Sequence, residues 1–147
     1  MTQRVYEFPN GLKFEGQISI DGLPNGRGKI TYPDGTKYEG EWLNGKKHGE
    51  GKQMFAAQEH YEGTWHENMK NGKGVYAFAN GDQYIGNYKN DLREGDGKYH
   101  HANGIAYEGN WDKGGGHSLT NTPPKYHRFH QEHLMLFRAS LVIFCLC

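Results

Sequence analysis

Hydrophobic and polar positions alternate strictly in a short block of the sequence. Tyr38, Gly40 and Trp42 alternate with Glu39 and Glu41. A period of two predicts a β-strand with one aromatic face and one charged face. The block recurs every 23 residues, after a first interval of 24, in copies that begin at Phe14, Tyr38, Tyr61, Tyr84 and Tyr107. A fixed period of this length is typical of a repeat protein, in which each repeat is one supersecondary unit.

A second strand pattern follows in each repeat, after a glycine-rich segment. The pairs that lie on one side of this strand are Ile30/Tyr32, Gln53/Phe55, Tyr76/Phe78 and Tyr99/His101. Each repeat is therefore predicted to be a β-hairpin with about five residues in each strand. Consecutive hairpins join into an elongated, twisted antiparallel meander of about ten strands, so the predicted fold class is all-β.

Turn signals separate the predicted strands. The Asn-Gly pair at 44–45 opens a turn because both residue types can take positive φ, and residues 48–51 are predicted to close it. Asn68 and Asp91 replace the turn glycine in the next two repeats and tolerate the same conformation. The second turn of each repeat carries Asn-Gly or Asp-Gly, but Gln58 stands in place of the glycine once, so we expect that turn to be different or strained.

Two sets of glycines recur at fixed offsets. An interior glycine costs about 0.5–1 kcal/mol relative to alanine, so a recurring one needs a compensating contact. We expect aromatic rings to lie flat over the backbone where the Cβ is missing, and the Gly-x-Gly pairs to supply positive φ and close ring approach. The structural glycines are Gly16, Gly40, Gly63, Gly86 and Gly109 in the first strands, and Gly28, Gly51, Gly74 and Gly97 in the Gly-x-Gly pairs.

The aromatic face is the main candidate for a binding surface. In one interpretation its rings stack mainly on one another and over the glycines. In the other, a single-layer sheet cannot bury them all, and they stay partly exposed as a groove for a helix or an extended peptide of a partner. The candidate partner-binding residues are Tyr38, Trp42, Tyr61, Trp65, Tyr84, Tyr88, Tyr107 and Trp111.

The unit Tyr-Glu-Gly-x-Trp, then a turn, Gly-x-Gly and aromatic-x-Asn-Gly resembles the MORN repeat (membrane occupation and recognition nexus) over residues 6–116. The resemblance implies an elongated, twisted stack of β-hairpins. It also implies a scaffold role, because family members include radial-spoke-head and other axonemal proteins, junctional membrane tethers and regulatory segments attached to lipid kinases. The short MORN-only chains most similar to this one are ciliary.

The repeat pattern divides the chain into an array over residues 1–116 and a divergent tail over residues 117–147. The array is predicted to hold a partial repeat 1–13, full repeats 14–37, 38–60, 61–83 and 84–106, and a last partial repeat 107–116. The tail begins with a linker and ends in a short apolar segment. We leave three interpretations of it open: a cap or partner-binding segment, a disordered or foreign chain end, and a membrane-associated segment.

Composition and charge limit the classes of function that we expect for this chain. The chain carries 17 basic and 17 acidic side chains, for a formal net charge of zero. It has no basic run of the density that binding to a phosphate backbone needs, so we expect no nucleic-acid partner. No set of nucleophile, base and orienting residue can be assembled, so we expect no catalytic residue, cofactor or metal. The first residues carry no secretory signal and the cysteines stand only at Cys145 and Cys147, which favours the cytoplasm.

The function expected from these observations is a non-enzymatic scaffold that docks other subunits in a ciliary or flagellar axonemal assembly, the radial spoke head first. The expected location is the cytoplasm and cytoskeleton, in the axoneme of a cilium or flagellum. One alternative is a membrane-associated MORN tether or lipid-binding adaptor; membrane contact is not favoured, because anionic lipids normally bind clustered Lys and Arg. Another alternative is a regulatory subunit of a separate enzyme. Open sheet ends also allow a homodimer.

Overall fold

The chain forms one antiparallel sheet in which every strand pairs with the next strand in sequence. The computed structural model describes residues 4–113 and 125–128. The strands are β1 Arg4–Glu7, β2 Lys13–Ile18, β3 Pro24–Thr31, β4 Lys37–Leu43, β5 Lys46–Met54, β6 His60–His66, β7 Met69–Ala77, β8 Gln83–Lys89, β9 Leu92–His100, β10 Ile105–Trp111 and β11 Lys125–Arg128. The predicted all-β meander is confirmed.

The strands of the central repeats are longer than the predicted length of about five residues. β4 has 7 residues and β5 has 9, and residues 48–51, which were predicted to be part of a turn, lie inside β5. Gly49 has a φ of 56°, and the register with β4 shifts between Gly40 and Glu41, so this segment is a β-bulge. The prediction of a turn was wrong because a bulge and a turn require the same residue type, one that tolerates left-handed φ.

The two-residue turns between β4 and β5, β6 and β7, and β8 and β9 agree with the prediction. Asn44 and Gly45 have φ values of 49° and 78°, and the substitutes Asn68 and Asp91 have values of 72° and 68°. Gln58, in the turn between β5 and β6, also takes a left-handed φ of 64°. That conformation costs a non-glycine residue about 1–2 kcal/mol, so the expected strain is present, although the Phe55 N–H still closes the turn on the Glu59 carbonyl at 2.8 Å.

The glycines of the array form a continuous row across the sheet. Each is paired in register with the next, in the order Gly16, Gly28, Gly40, Gly51, Gly63, Gly74, Gly86, Gly97 and Gly109. A Cβ on Gly40 would come within 2.5 Å of the Gly51 Cα and 2.6 Å of the Tyr38 hydroxyl oxygen. The row is therefore a trough in the sheet that has room for rings only because the Cβ atoms are missing.

Tyrosine rings fill this trough. The Tyr38 ring contacts Gly40 and Gly51, and its hydroxyl donates a hydrogen bond to the Glu41 carbonyl at 2.9 Å. Its ring also lies edge-on to Trp42 and Trp65, with centroids 5.1 and 5.3 Å apart. Tyr61 and Tyr84 repeat this arrangement one and two repeats further along. Such edge-to-face pairs stabilise by about 0.5–1.5 kcal/mol each beyond the burial of area.

This packing corrects the expectation that the aromatic face stays open. Seven of the eight candidate partner-binding rings are buried: Tyr38, Trp42, Tyr61, Trp65, Tyr84, Tyr88 and Trp111. The remaining candidate, Tyr107, is half-buried. Because the rings lie down in the glycine trough, one layer of side chains closes over itself and no second layer is needed. The seven buried rings therefore offer little surface to a partner, and the structure fits the interpretation in which they stack on one another and over the glycines.

The tail contributes one described element to the sheet. β11 pairs antiparallel with β10, with Ile105 opposite Arg128 and Glu108 opposite Lys125. Four residues of the tail therefore extend the array by one strand. The other residues of 117–147, on which the three interpretations of the tail depend, lie outside the described residues.

The glycine trough gives a first prediction. In Gly40→Ala, the new Cβ meets the Gly51 Cα and, at 2.6 Å, the Glu50 carbonyl oxygen, which are backbone atoms that cannot rotate away. We expect the free energy of unfolding, measured in urea, to fall by about 1–3 kcal/mol. In the control Gly35→Asn, the site is open and asparagine tolerates its φ of 87°, so we expect a loss below about 1 kcal/mol. Equal losses in the two variants would contradict the trough.

The buried tyrosines give a second prediction. Burial raises the pKa of Tyr38, Tyr61 and Tyr88 well above the ordinary value of 10.0. Since the unfolded chain loses these protons near pH 10 and the folded chain keeps them, their stabilising contribution is present below pH 10 and is lost as the pH rises further. We expect the urea midpoint to fall between about pH 10 and 12, and to fall less in Tyr61→Phe. Parallel curves for the two proteins would show that Tyr61 does not contribute.

Candidate protein-binding surface

The half-buried rings lie at the ends of the second strands of the repeats or directly after them, and they pack against the buried rings. We call Phe55, Tyr76, Phe78, Tyr99 and His101 the aromatic band; all five are half-buried. Their ring centroids follow one another at 5.9, 4.6, 5.6 and 4.9 Å. The band therefore runs without interruption from the end of β5 to the end of β9, and its rings are partly exposed to solvent.

The sequence pattern placed these residues on one side of the predicted second strands but did not identify them as a site. Four of them belong to the pairs Tyr76/Phe78 and Tyr99/His101. Their position on the strand next to the first-strand tyrosines could have identified them. Because those tyrosines fill the space over the glycines, a ring on the neighbouring strand can pack only at the edge of the core.

Three cations lie over the rings on this face. Lys47, Lys70 and Arg93 occupy the same position in three consecutive repeats, 23 residues apart, and we call them the cation row. The Lys47 Nζ is 5.0 Å from the Tyr38 ring and 4.9 Å from the Trp65 ring. These distances are those of cation–π contacts, which favour a cation on the face of an aromatic ring.

The other two cations link the core to the aromatic band. The Lys70 Nζ is 5.5 Å from the Tyr61 ring in the core and 5.1 Å from the Tyr76 ring in the band. The Arg93 Cζ is 4.7 Å from the buried Tyr84 ring. It is also 5.3 and 5.5 Å from the two band rings Phe78 and Tyr99. The cation row and the aromatic band are therefore parts of one surface.

Hydrogen bonds between successive turns fix the backbone of the cation row. The Lys47 N–H donates to the Asn68 side chain at 2.9 Å, and the Asn68 N–H donates back to the Lys47 carbonyl at 3.0 Å. Lys70 and Asp91 make the same two bonds at 2.9 and 3.0 Å. Asn68 and Asp91 thus do more than tolerate left-handed φ, since their side chains anchor the preceding repeat. This role depends on how the repeats stack, which the local turn pattern does not show.

The three cations of the row are half-buried, and burial acts on the charge of two of them. Burial lowers the pKa of Lys47 from 10.5 to about 8, although the nearby Asp91 opposes the shift. Burial also lowers the pKa of Lys70. The Lys47 Nζ donates to the Gln53 side-chain oxygen, which is neutral. Within residues 4–113, no carboxylate lies within 4.0 Å of any of the three cations.

Two carboxylates beside the aromatic band are already engaged. The Glu59 carboxylate accepts a hydrogen bond from the Tyr76 hydroxyl at 2.5 Å. The buried Asp82 accepts bonds from the Ala102 N–H and the Tyr99 hydroxyl, both at 2.9 Å, and contacts the His101 Nδ1 at 3.0 Å. These bonds, that of the Ala102 N–H first, lower the pKa of Asp82. Both carboxylates therefore orient the band and are not free to neutralise the cation row.

The opposite, charged face matches its own charges. One register line across it reads Glu15, Lys29, Glu39, Lys52, Glu62, then Val75 and Ile85, then Lys98 and Glu108. Lys52 pairs with Glu62, and Lys98 pairs with Glu108, both at 3.1 Å. A shallow depression of about 920 Å³ lies over this line between β2 and β6. Exposed pairs of this kind add little stability, about 0–1 kcal/mol each, but they leave the face electrically balanced.

Other kinds of site find no support in the part of the chain that the structure describes. No group of three or more His, Cys, Asp or Glu side chains is placed to hold a metal ion among residues 4–113. A search of the same residues finds no helix with the length and apolar character to cross a membrane.

Comparison with known proteins adds the family. No match is found among curated proteins. Among solved structures, the TCP domain of SAS-4 (dCPAP) of Drosophila melanogaster, in complex with a proline rich motif of Ana2 (dSTIL), is similar at 16% sequence identity and a TM-score of 0.34, over 85% of this chain and 83% of that chain. A likeness at that level supports no argument about this protein.

The family model for the MORN repeat matches four segments, residues 14–37, 38–57, 61–83 and 84–105, which together make up more than half of the chain. MORN repeats are a scaffold type of fold and not a known enzyme family, and they serve in binding other proteins or membranes. The stacked hairpins of the sheet are in agreement with this match. This chain is therefore a member of the MORN-repeat family.

Proposed function

We propose that this protein is a non-enzymatic scaffold that docks partner proteins in a ciliary or flagellar axonemal assembly, specifically in the head of the radial spoke. The observation that carries the docking role is the half-exposed surface formed by the aromatic band and the cation row. It combines half-buried aromatic rings with positive charges that have no carboxylate within 4.0 Å among residues 4–113, and exposed apolar surfaces with aromatic anchors are typical of binding sites.

The sheet geometry supports a structural role. Each strand contacts only its neighbours in sequence, so the array is a one-dimensional stack with a long open surface on each side. Such a stack can hold several partners at fixed spacing. The described strands present two long faces on which partner proteins can lie.

The axonemal part of the proposal rests on the resemblance of these repeats to those of radial-spoke-head and other axonemal proteins. The formal net charge of zero gives the chain no general electrostatic attraction to anionic surfaces. Location in the axoneme, with other spoke subunits as neighbours, follows from that resemblance and remains part of the proposal.

A second candidate is a membrane-associated tether. The observation in its favour is the cation row itself, since Lys and Arg beside aromatic rings also suit an anionic lipid surface. Against it, binding to such a surface normally uses clusters of 4–8 basic residues (about 1 kcal/mol each), and this face has three aligned cations. The membrane tether therefore ranks second.

The proposed function is tested by fractionation. The full-length tagged protein is expressed in ciliated cells, which are then extracted with mild detergent. We expect it to stay with the insoluble axoneme, because a docked scaffold is held by protein contacts that mild detergent does not dissolve. Crosslinking of the extracted axonemes should then join it to spoke subunits.

A membrane protein and a tubulin-bound protein processed in parallel serve as controls for the two fractions. Release of the tagged protein with the membrane control would overturn the axonemal scaffold and favour the tether. Release as a soluble protein in the absence of any crosslinked neighbour would overturn both.

A further inference from the structure

The cation row has a regular spacing that a partner can match. Lys47, Lys70 and Arg93 lie at equivalent positions of β5, β7 and β9, which are alternate strands of one sheet. Neighbouring strands are about 4.8 Å apart, so successive cations are separated by about 10 Å across the sheet. The bonds of Lys47 to Asn68 and of Lys70 to Asp91 hold the backbone at this spacing before any partner binds.

The cations of the row differ from six other cations of the array, which form ion pairs. Lys13, Arg27, Lys46, Lys52, Lys89 and Lys98 each lie within 4.0 Å of a carboxylate. The three cations of the row are held against rings instead. A partly desolvated cation that has no carboxylate in contact interacts more strongly with an incoming carboxylate than a fully solvated cation does, because the local dielectric is lower.

The aromatic band supplies the apolar half of the surface. Lys70 contacts the Tyr76 ring, and Arg93 contacts the Phe78 and Tyr99 rings, so each of these charges lies beside a half-buried ring. A segment whose carboxylates reach the row can therefore place apolar side chains on the band. The hydroxyls of Tyr76 and Tyr99 already bind Glu59 and Asp82, so the band offers its ring surfaces and not further donors.

We propose that this surface binds an extended acidic segment of a partner protein, with one carboxylate at every third residue and apolar residues between them. The polyproline II conformation advances about 3.1 Å per residue and presents the same face every third residue, or about 9.3 Å. That repeat matches the spacing of about 10 Å between the cations. The proposal rests on the proposed docking function and names the chemistry of the docked segment.

A lipid surface fits these observations less well. The cations form a single file and not a cluster, and each is inset among rings that half-bury it. Individual carboxylates can enter such positions one by one, whereas a layer of headgroups needs charges that project from the surface.

The test measures binding of a fluorescent peptide made of four Glu-Val-Pro units to the full-length protein by anisotropy. A peptide of the same composition with its four glutamates contiguous is the spacing control. We expect saturable binding of the spaced peptide and affinity at least severalfold weaker for the contiguous one. Equal affinity for the two peptides, or binding of neither, would overturn the proposal.

A matched pair of variants separates the two faces of the same strand. Lys70→Met keeps the apolar stem over the rings and removes the charge, and we expect affinity for the spaced peptide to fall about tenfold, the loss of one charge-assisted pair. Lys73→Met makes the same change three residues away on the exposed, charged face of β7 and should have no effect. Lys70→Arg should keep the affinity. If Lys70→Met and Lys73→Met bind equally well while both remain folded by circular dichroism, the row is not the site.

The pH dependence of binding gives an independent readout. Lys47 is faced by Tyr38 from β4, Gln53 from its own strand and Trp65 from β6, with Lys70 and Asp91 near enough to influence its charge. Because the pKa of Lys47 is about 8 in the free protein, affinity should fall severalfold between about pH 7 and 9. Lys47→Arg should remove most of this fall, and an unchanged pH profile in that variant would exclude Lys47 from the site.

Two further experiments test the acidic-segment proposal separately from the proposed scaffold function and from lipid binding. Flotation with phosphatidylserine vesicles should leave the protein unbound; vesicle binding without peptide binding would overturn the proposal in favour of a lipid surface. In ciliated cells, Lys70→Met should be retained by the axoneme less well than Lys73→Met. If both variants are retained like the wild type, the proposed acidic segment is contradicted and the scaffold function is not. Loss of the wild-type protein from the axoneme overturns the scaffold function, whatever affinity the peptides show.

Discussion

A row of nine glycines crosses nine strands of the sheet, and the rest of the structure depends on the space that their missing Cβ atoms leave. A Tyr38 ring can lie flat there, with its hydroxyl on the Glu41 carbonyl and its edges against Trp42 and Trp65. Any side chain larger than hydrogen at Gly40 or its equivalents lifts the ring away from the sheet. The conformational cost of glycine is thus offset in each repeat by a ring that is fully buried without a second layer above it.

This arrangement makes the core a chain of nearest-neighbour contacts. Tyr61 touches Trp65 in its own repeat and Tyr88 in the next one, and the indole N–H of Trp65 donates to the Gly51 carbonyl of the preceding repeat at 3.1 Å. Cohesion therefore passes from repeat to repeat, and additional repeats lengthen the sheet without changing its cross-section. The described strands therefore present their two faces as long surfaces, and the candidate protein-binding surface lies on one of them.

The sequence predicted the features that repeat and missed those that depend on how repeats meet. Period two and the 23-residue spacing predicted the strands, the meander and the inward aromatic face. The same pattern did not predict that the rings of that face would be buried, because the glycine row exists only once the cross-strand register is known. The bulge at Gly49 was taken for a turn, since both need left-handed φ. Asn68 and Asp91 looked like glycine substitutes, and their bonds to Lys47 and Lys70 appear only when successive hairpins are stacked.

The charged side chains on the two faces of the sheet are stabilised in different ways. This difference indicates the face on which contact with a partner would contribute most to binding. On the charged face, Lys52 and Glu62 form an ion pair in solvent. A partner that covers this pair has to desolvate both charges and gains little binding energy in return. On the aromatic face, Lys47 and Lys70 have already lost part of their solvation to the rings beneath them and have no carboxylate within 4.0 Å among the described residues. Folding has therefore already removed part of the water that a partner's anion would otherwise have to displace from these cations. Burial of the core thus does more than stabilise the repeats, because it leaves their outer margin prepared for an acidic chain.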